Sequence, residues 1–436
     1  MLVPITVIRG GTSRGFYFEG KNVPKPGEGL EQFVLAVRGS PDAMGMDGLG
    51  GDTPLQSKVA IVSPSSRPDA DVDYTFIQMF PNAPTALTYR MNCGNISAGV
   101  PVFALMKNMV PDVKDGPNTI RVYSTNTKKM MYMTVDVLNG EAKVDGDCVM
   151  DGAPGTGSTI LVDFRDQGGA LTGKLFPSGN LVDTIKMDDG TTIDVTITDM
   201  TNPCVFFKAA DFGIGLTGLE LPNPDWSLKG PPGAQKRLAE LRLKASHLMG
   251  WTKMTAEESI NSTMPFAVSI APPADYTSMT GSKVKASDVN LVARWYAGVG
   301  SIGMHTAAPG SGSTCLSAAV AIPGSIPNQV LGDGPLKSGK GGDFTFGHPS
   351  GKMSAPSPFW TRTPTRSATK RCTSREPPAS SATAPSTSRK GTVRPTPHGP
   401  SPMRSPPHRS SCSAITSASN ANLDFRLGSW PCENEI

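Results

Sequence analysis

A lysine and a cysteine, each in a glycine-rich segment, carry the strongest chemical signal in the sequence. Lys58 ends the segment 50–58 (GGDTPLQSK), and Cys93 lies in the segment 92–95 (NCGN). Glycine-rich turns expose backbone N–H groups that hold anions. An amine and a thiol placed in such turns are suited to removing and returning a proton at carbon. The pair therefore predicts acid–base chemistry on an anionic carbon acid.

Both residues also have an ordinary structural interpretation. A lysine before an apolar strand is usually a solvated surface charge, and a cysteine is usually a small buried hydrophobe. Lys58 precedes the strand-like residues 59–62, and burial near other cations would lower its pKa and give a neutral amine base. Cys93 lies in a predicted exposed turn just before a helix, whose N-terminus stabilises an anion. The turn favours the functional interpretation.

Further polar residues in glycine-rich turns are candidates for binding a substrate. Arginine forks and histidine suit carboxylates. Each residue alone is more often a turn former or a structural hydrogen-bonding group, and only their joint occurrence favours binding. The candidates are Thr12, Ser13, Arg14, Gly51, Asp52, Thr53, Ser57, Gly94, Asn95, Met304, His305, Ser311, His348 and Ser350.

Short β-strands dominate the elements that must position these residues. Runs of β-branched and aromatic residues predict strands at 5–8, 15–18, 59–62, 74–79, 120–123, 131–137 and 191–198. Apolar residues at helical spacing predict helices at 31–37, 97–107 and 234–249. The mixture predicts an α+β fold.

The second half of the sequence repeats the plan of the first. Residues 308–320 place a glycine-rich turn before an alanine-rich helix, as residues 92–104 do, and a strand leads into a polar turn early in each half. A chain of 436 residues is long enough for two such units. The repeat indicates duplicated α+β domains whose glycine-rich loops face a shared cleft. We predict domains at 1–180 and 181–353.

The composition changes abruptly near Ser354. Residues 354–436 are rich in Ser, Pro, Thr, Ala and Arg, and carry 11 basic against 4 acidic side chains. Such a segment cannot bury enough apolar surface to fold, so we predict disorder. A shifted reading frame or a misplaced splice junction is the alternative interpretation. Residues 1–353 carry 30 basic and 33 acidic side chains, so the net positive charge of the chain gives no reason to expect nucleic acid as a partner.

Cysteine and histidine spacing argues against a metal site. The seven cysteines show neither CxxC pairing nor zinc-type spacing with the five histidines, so we expect no metal and no disulfide framework. Nucleotide binding is not expected either, because Val59 follows Lys58 where a P-loop needs Ser or Thr.

The sequence also gives no sign of a membrane partner. No apolar run approaches the roughly 20 residues that span a bilayer, and the first residues have the pattern of a strand, not of a signal peptide. We therefore expect a cytoplasmic protein.

Taken in order, the turns resemble those of a known family. The motifs are GGTSRG at 10–15, GGxxxxxSKV at 50–59, NCGN at 92–95, NPCVF at 202–206, LMG at 248–250, MH at 304–305 and GHPSG at 347–351. This ordered set resembles the methylaconitate isomerase family, which includes aconitate Δ-isomerases and 4-oxalomesaconate tautomerases. The resemblance implies a diaminopimelate epimerase-like fold, with two pseudo-symmetric domains, each a β-sheet wrapped around a central helix, and the active site in the cleft between them.

The same resemblance implies a cofactor-independent isomerase of unsaturated di- and tricarboxylates. Lys58 and Cys93 match the family's catalytic lysine and cysteine, and which of them is the base stays open. Removing an allylic proton gives a dienolate, and returning the proton elsewhere moves or re-orients the double bond. Related two-thiol epimerases have a second cysteine where this chain has Pro309, while Cys315 lies within the following helix. Stereoinversion by two thiols is therefore not expected.

Other functions compete with an aconitate-type isomerase. A 4-oxalomesaconate tautomerase uses the same chemistry on an oxo substrate. A non-catalytic carboxylate-binding protein would follow if the tail left the second domain incomplete. A nucleic-acid-binding or scaffold protein has only the basic tail in its favour. The exact substrate and a homodimer are left open.

Overall fold

Two large mixed β-sheets and seven α-helices dominate the computed structural model, which describes residues 2–42, 44–51, 53–80, 83–223, 227–298, 300–357 and 421–424. In chain order the strands are β1 (Leu2–Gly10), β2 (Ser13–Glu19), β3 (Lys58–Pro64), β4 (Val72–Phe80), β5 (Ala83–Thr88), β6 (Gly116–Ser124), β7 (Lys129–Leu138), β8 (Glu141–Ala142), β9 (Leu161–Asp163), β10 (Asp183–Lys186), β11 (Thr192–Met200), β12 (Asn202–Lys208), β13 (Phe266–Ala271), β14 (Tyr276–Thr277), β15 (Lys283–Val284), β16 (Leu291–Gly298), β17 (Ile302–Met304), β18 (Gly342–His348), β19 (Gly351–Ser357) and β20 (Ala421–Asp424). The helices are α1 (Glu28–Arg38), α2 (Gly94–Ser97), α3 (Gly99–Met106), α4 (Ala234–Leu248), α5 (Ala256–Asn261), α6 (Gly310–Val320) and α7 (Ile326–Gln329).

The two sheets share one pattern of strand pairing. The first sheet has the order β20-β1-β2-β3-β4-β6-β7-β8, and the second has the order β10-β11-β12-β13-β16-β18-β19. From β1 to β7 successive neighbours pair antiparallel, parallel, antiparallel, parallel and antiparallel. The same alternation runs from β11 to β19. The predicted pseudo-symmetric α+β fold is therefore confirmed.

Each sheet wraps around a buried helix. Residues 99–105 of α3 are all buried, and α3 packs against β1, β3 and β7. All eleven residues of α6 are buried, and α6 packs against β11, β12 and β19. A helix that is apolar on every side can be stable only inside a core. The inner faces of both sheets join around these helices in one large apolar cluster.

The outer face of each sheet is covered by an amphipathic helix. Leu30, Phe33 and Val37 of α1 pack on the first sheet. Leu238 and Leu241 of α4 pack on the second. The predicted helices at 31–37 and 234–249 are confirmed as these packing helices. The predicted helix at 97–107 begins earlier, at Gly94, and is divided into α2 and α3.

The predicted strands are observed with longer bounds, because backbone pairing continues past the β-branched runs. Apart from β20, strands of the first sheet end at Asp163, and those of the second sheet begin at Asp183. The domain division near residue 180 stays a prediction.

Strand β19 continues to Ser357, and β20 pairs antiparallel with β1. The disorder predicted for residues 354–436 is therefore wrong at 354–357 and 421–424, where backbone pairing forms strands, and the other residues of that segment lie outside the described residues.

Membrane insertion of a helix finds no support in the fold. Across the described part of the chain, no helix is both long enough and apolar enough to cross a bilayer.

Candidate active site

A small cavity lies where the two glycine-rich helix starts meet. Helices α2 and α6 contact each other, and the residues before them form part of the wall. The cavity measures about 30 Å³, enough for about two water molecules. A larger ligand therefore needs its walls to move apart. The lining residues are Ser13, Pro54, Leu55, Lys58, Gln78, Phe80, Met91, Asn92, Cys93 and Asn95 from the first half, and Thr263, Phe266, His305, Pro309, Gly310 and Ser311 from the second.

Lys58 is buried in the cavity wall as the first residue of β3, with only 5% of its surface exposed. Its ammonium nitrogen lies 5.4 Å from the centre of the Phe76 ring. Burial lowers the pKa of Lys58, because a charged amine loses its water shell, while the neighbouring Cys93 thiol raises this pKa in partial opposition. The site therefore favours a neutral amine more than water does, as a general base requires.

Cys93 lies within hydrogen-bonding reach of the Lys58 amine. It directly precedes α2, and its carbonyl oxygen accepts hydrogen bonds from the backbone N–H and the hydroxyl of Ser97, both at 2.9 Å. Cys93 is only 8% exposed, so the exposed turn predicted for it is wrong, because the residue packs into the core between the sheets. The predicted amine and thiol thus come from separate strands and turns into one contact.

Gln78 was missed by the sequence analysis, although it contacts Lys58 directly. It lies opposite Lys58 in the β3–β4 pair, and its Oε1 accepts a hydrogen bond from the Lys58 amine. The two N–H groups of its Nε2 are shared among three backbone carbonyl oxygens, at 3.0 Å to Pro54, 3.0 Å to Ser57 and 2.8 Å to Met79. These bonds fix the amide so that only its oxygen faces Lys58. The sole sequence signal was a polar residue at the apolar end of a predicted strand.

The first glycine-rich turn packs against the residues after Cys93. A Cβ atom on Gly10 would lie 2.0 Å from the Asn95 carbonyl oxygen, so only glycine fits there. Thr12 Oγ1 accepts a hydrogen bond of 2.9 Å from Asn95 Nδ2, and the two side chains therefore satisfy each other. Ser13 Oγ is buried at the cavity with no partner among the described residues. Its hydroxyl is available to a ligand.

Thr263 supplies a second hydroxyl of this kind from the other half of the chain. Its Oγ1 is buried and has no hydrogen-bond partner within the described residues, and the residue lines the cavity. Thr263 was not predicted as a site residue, because no glycine-rich turn surrounds it in the sequence. Buried hydroxyls are normally paired, so two unpaired ones at one cavity indicate a polar ligand.

Two histidines lie in the second half of the site, and only His305 lines the cavity. Burial and then the charge of Lys58 lower the pKa of His305 to about 3. Burial, followed by the charges of Arg294 and His305, lowers the pKa of His348 to about 3. Ser350 donates its hydroxyl to the Thr306 carbonyl oxygen at 2.6 Å. His348 and Ser350 therefore support the wall behind His305, and both histidines are neutral at physiological pH.

The structure brings six of the predicted site residues to the cavity. They are Ser13, Lys58, Cys93, Asn95, His305 and Ser311. Among those elsewhere, Ser57 donates its hydroxyl to the Gly51 carbonyl oxygen at 2.7 Å and closes that loop, and Met304 is fully buried in the outer core of the second sheet. Asp52 lies outside the described residues. The roles assigned to all of them stay predictions. Those that do not line the cavity are Thr12, Arg14, Gly51, Thr53, Ser57, Gly94, Met304, His348 and Ser350.

The second helix start carries no thiol at the cavity. Pro309 directly precedes α6 and lines the wall. Cys315 lies one turn and a half further along α6, fully buried, with its sulfur 3.0 Å from Thr198 Oγ1. Among the described residues that line the cavity, Cys93 is the one cysteine.

The sheet order and the pairing pattern that the two sheets share define a protein of diaminopimelate epimerase-like fold. The chain belongs to the PrpF family, since the sequence model described as PrpF protein matches residues 1–366. That match extends past residue 353, where the resemblance read from the sequence motifs ended.

Relatives with assigned activities cover most of the chain. The 3-methylitaconate isomerase of Eubacterium barkeri is 40% identical over 355 residues, which are 80% of this chain and 89% of the relative. The (4E)-oxalomesaconate Delta-isomerase of Novosphingobium sp. (strain KA1) is 36% identical over 351 residues, 80% of this chain and 88% of the relative. The 2-methyl-aconitate isomerase of Cupriavidus necator is 32% identical over 364 residues, with the same two coverages.

A solved structure agrees with these relatives. The crystal structure of methylitaconate-delta-isomerase superposes with a TM-score of 0.66 at 38% identity, and covers 82% of this chain and 89% of that one. The predicted family and the predicted enzyme class, isomerase, are confirmed by these matches.

Proposed function

We propose that this protein is a cofactor-independent isomerase that moves or re-orients the double bond of an aconitate-type unsaturated acid by allylic proton transfer. One observation carries the proposal. The Lys58 amine, whose pKa is lowered by burial, and the Cys93 thiol, which raises that pKa in part, line one cavity walled by both halves of the chain. A base and an acid at one small cavity suit proton transfer between two carbons of one substrate.

In the proposed reaction, the neutral Lys58 amine removes the allylic proton. The electron pair of the broken C–H bond moves into the conjugated system, and negative charge collects on a carboxylate as a dienolate. The Cys93 thiol then donates its proton to the other end of that system, which forms the new C–H bond. The ammonium of Lys58 returns a proton to the thiolate through their contact, and both groups are reset.

The remaining polar groups at the cavity suit the carboxylates and the dienolate charge. The hydroxyls of Ser13 and Thr263 are buried there with no partner among the described residues, and both can donate. Gly310 and Ser311 begin the eleven-residue helix α6, whose first N–H groups have no acceptor within the helix. Donors fixed before the reaction stabilise developing negative charge without reorganising.

The relatives narrow the substrate class. They are named for 3-methylitaconate, 2-methyl-aconitate and oxalomesaconate isomerisation. We assign this chain an unsaturated di- or tricarboxylate of that kind, such as cis-aconitate or 2-methylaconitate. One methyl group changes binding by only about 1–3 kcal/mol, so pocket size alone separates these acids weakly.

A 4-oxalomesaconate tautomerase is the second candidate. It is supported by the 36% identity to the oxalomesaconate isomerase. A non-catalytic carboxylate-binding protein is less favoured, because both proton-transfer groups are present and in contact. We also propose a cytoplasmic location, since Cys93, Cys204 and Cys315 are thiols outside any disulfide, as in a reducing compartment.

Proton NMR in deuterated water tests the proposal. The purified protein is incubated separately with cis-aconitate, 2-methylaconitate and 4-oxalomesaconate. We expect at least one acid to isomerise and to gain deuterium at its allylic carbon. If none of the three isomerises or exchanges, the proposed function is wrong. Tight binding of an acid in calorimetry without exchange supports the non-catalytic alternative instead.

A further inference from the structure

Asn202 connects the two sides of the cavity with three hydrogen bonds. It is the first residue of β12 and is fully buried. Its Oδ1 accepts from the backbone N–H of Asn92 at 3.0 Å, and its Nδ2 donates to the Asn92 carbonyl oxygen at 2.8 Å. The same Nδ2 donates to Ser311 Oγ at 2.7 Å. One side chain therefore holds the residue before Cys93 and the first turn of α6.

Only an amide can make this set of bonds. The N–H of Asn92 needs an acceptor, and its carbonyl oxygen needs a donor, so the oxygen and the nitrogen of Asn202 each have one allowed position. A carboxylate of the same shape has no hydrogen to donate. The two bonds to the Asn92 backbone resemble a pair of hydrogen bonds between neighbouring strands. The Asn202 side chain takes the place of the second strand.

The backbone at Thr201, directly before Asn202, is strained, and two hydrogen bonds of Thr201 hold it in place. Thr201 has a φ of 78°, and among the five described non-glycine residues with positive φ it is the β-branched one. Its N–H donates to the Gln167 carbonyl oxygen at 3.1 Å, and its hydroxyl donates to the Ser311 carbonyl oxygen at 3.1 Å. Such strain persists only where the surrounding structure imposes it. Here it turns Asn202 towards the cavity wall.

The two turns that Asn202 joins carry opposite walls of the site. Asn92 is followed by Cys93, and Ser311 belongs to the turn that replaces the second thiol of related epimerases. Asn92 is also anchored on its own side, since its Nδ2 donates to the Met131 sulfur at 3.2 Å. A shift of Asn202 is therefore transmitted to the residue next to the thiol.

We propose that Asn202 is a positioning residue, which holds the Cys93 turn at a fixed distance from the first turn of α6 and so keeps the thiol in register with Lys58. It acts through Asn92 and Ser311 and does not touch the reacting atoms. The proposal deepens the proposed function and rests on it for its catalytic consequence, but its structural part can be measured without any substrate.

The test uses the Asn202→Asp variant, which keeps the shape and removes the donor. Hydrogen exchange read by mass spectrometry is expected to become at least about threefold faster in both segments 91–98 and 309–314. In the assay with the best substrate, kcat falls by about 10²-fold while KM changes little, because the thiol is misplaced and the carboxylate donors are kept. The matched control is Asn223→Asp, which makes the same change at a loop amide that bonds Ser227 Oγ at 2.6 Å.

The results separate this proposal from the proposed function. Unchanged exchange in either segment, or a kcat like that of the control, overturns the positioning role. Faster exchange in both segments with no isomerisation by the parent protein supports the role of Asn202 as the link between the turns and counts against the proposed function only. If Asn202→Asp does not fold, Ser311→Ala removes one of the three bonds, and unchanged exchange at 91–98 in that variant overturns the proposal.

Discussion

Lys58 and Gln78 lie directly opposite each other in the antiparallel β3–β4 pair, and the amine of one donates a hydrogen bond to the amide oxygen of the other. This neutral acceptor holds the amine towards Cys93 without adding a negative charge. A carboxylate in its place would favour the ammonium form. The choice of an amide therefore agrees with an amine that must be neutral to act as a base.

Gln78→Glu is expected to raise the pKa of Lys58, because a carboxylate stabilises the neighbouring ammonium. Since the neutral amine is the active form, kcat/KM at neutral pH falls by about tenfold for each unit by which the pKa rises. The rising limb of the pH profile of kcat/KM moves to higher pH. Gln32→Glu, on the exposed face of α1, is the matched control and keeps the wild-type profile. If the rising limb of the pH profile of kcat/KM does not move in Gln78→Glu, the assignment of Lys58 as the base is wrong.

Lys58→Ala and Cys93→Ser each remove one proton-transfer group. We expect each to lower kcat by about 10²-fold to 10⁴-fold, with the urea unfolding midpoint nearly unchanged. The controls are Lys253→Ala at an exposed position and Cys148→Ser at a buried cysteine outside the cavity. Steady-state kinetics measure the effect. A variant of either residue with near-normal turnover shows that the residue is not needed for proton transfer.

Thr263→Val removes a hydroxyl that is buried at the cavity with no partner among the described residues. If this hydroxyl binds a substrate carboxylate, KM rises by about threefold to tenfold, because one hydrogen bond is lost. Stability does not fall, since no hydrogen bond among the described residues is broken. Thr184→Val, on the outer strand β10, controls for the exchange of hydroxyl for methyl. An unchanged KM excludes Thr263 from substrate binding.

The two buried histidines predict an acid-labile fold. Burial lowers the pKa values of His305 and His348 to about 3, below the ordinary histidine value, so the unfolded chain binds protons at a pH where the folded chain does not. Their contribution to stability is present above the unfolded pKa of about 6.5 and is lost as the pH falls from there towards about 3. Each histidine contributes up to about 1.4 kcal/mol per pH unit within that window.

Urea unfolding measured at several pH values checks this expectation. His348→Asn, which lies behind the cavity wall, is expected to reduce the loss of unfolding free energy between about pH 6 and about pH 4 by at least about 1 kcal/mol. His247→Gln changes an exposed histidine and serves as the control. Equal pH dependence in His348→Asn and wild type disproves the role of His348.

Local sequence signals predicted seven of the strands, the helices at 31–37, 97–107 and 234–249, and the lysine–cysteine pair. Runs of β-branched residues predicted strands because such side chains favour extended backbone wherever they occur. The apolar residues at 97–107 and the alanine-rich run after residue 310 predicted helices for a similarly local reason, while the family resemblance implied a central helix in each domain. The turns next to Lys58 and Cys93 could be recognised from their glycines. Glycine is needed where another part of the backbone approaches too closely for a Cβ atom, as Asn95 approaches Gly10.

Partnerships across the fold were not accessible in this way. Thr12 and Asn95 were both predicted to bind substrate, yet they hydrogen-bond each other. Thr263 lies in a segment without any binding pattern and reaches the cavity from the second half of the chain. The hydrogen-bond partner of a side chain depends on which surfaces the sheets bring together. Local residue propensities contain no information on these long-range contacts.

The sequence by itself determined the family, through the resemblance of its ordered motifs, and the α+β class, through its strand and helix patterns. It also predicted the amine–thiol pair from residue types and short spacings. Only the tertiary structure decided that Gln78 faces Lys58, because that contact depends on the β3–β4 register. It also decided that Asn202 reaches Asn92, which is 110 residues away along the chain. Contacts at such separations form when two sheets close around their helices, and their geometry is a property of the assembled core.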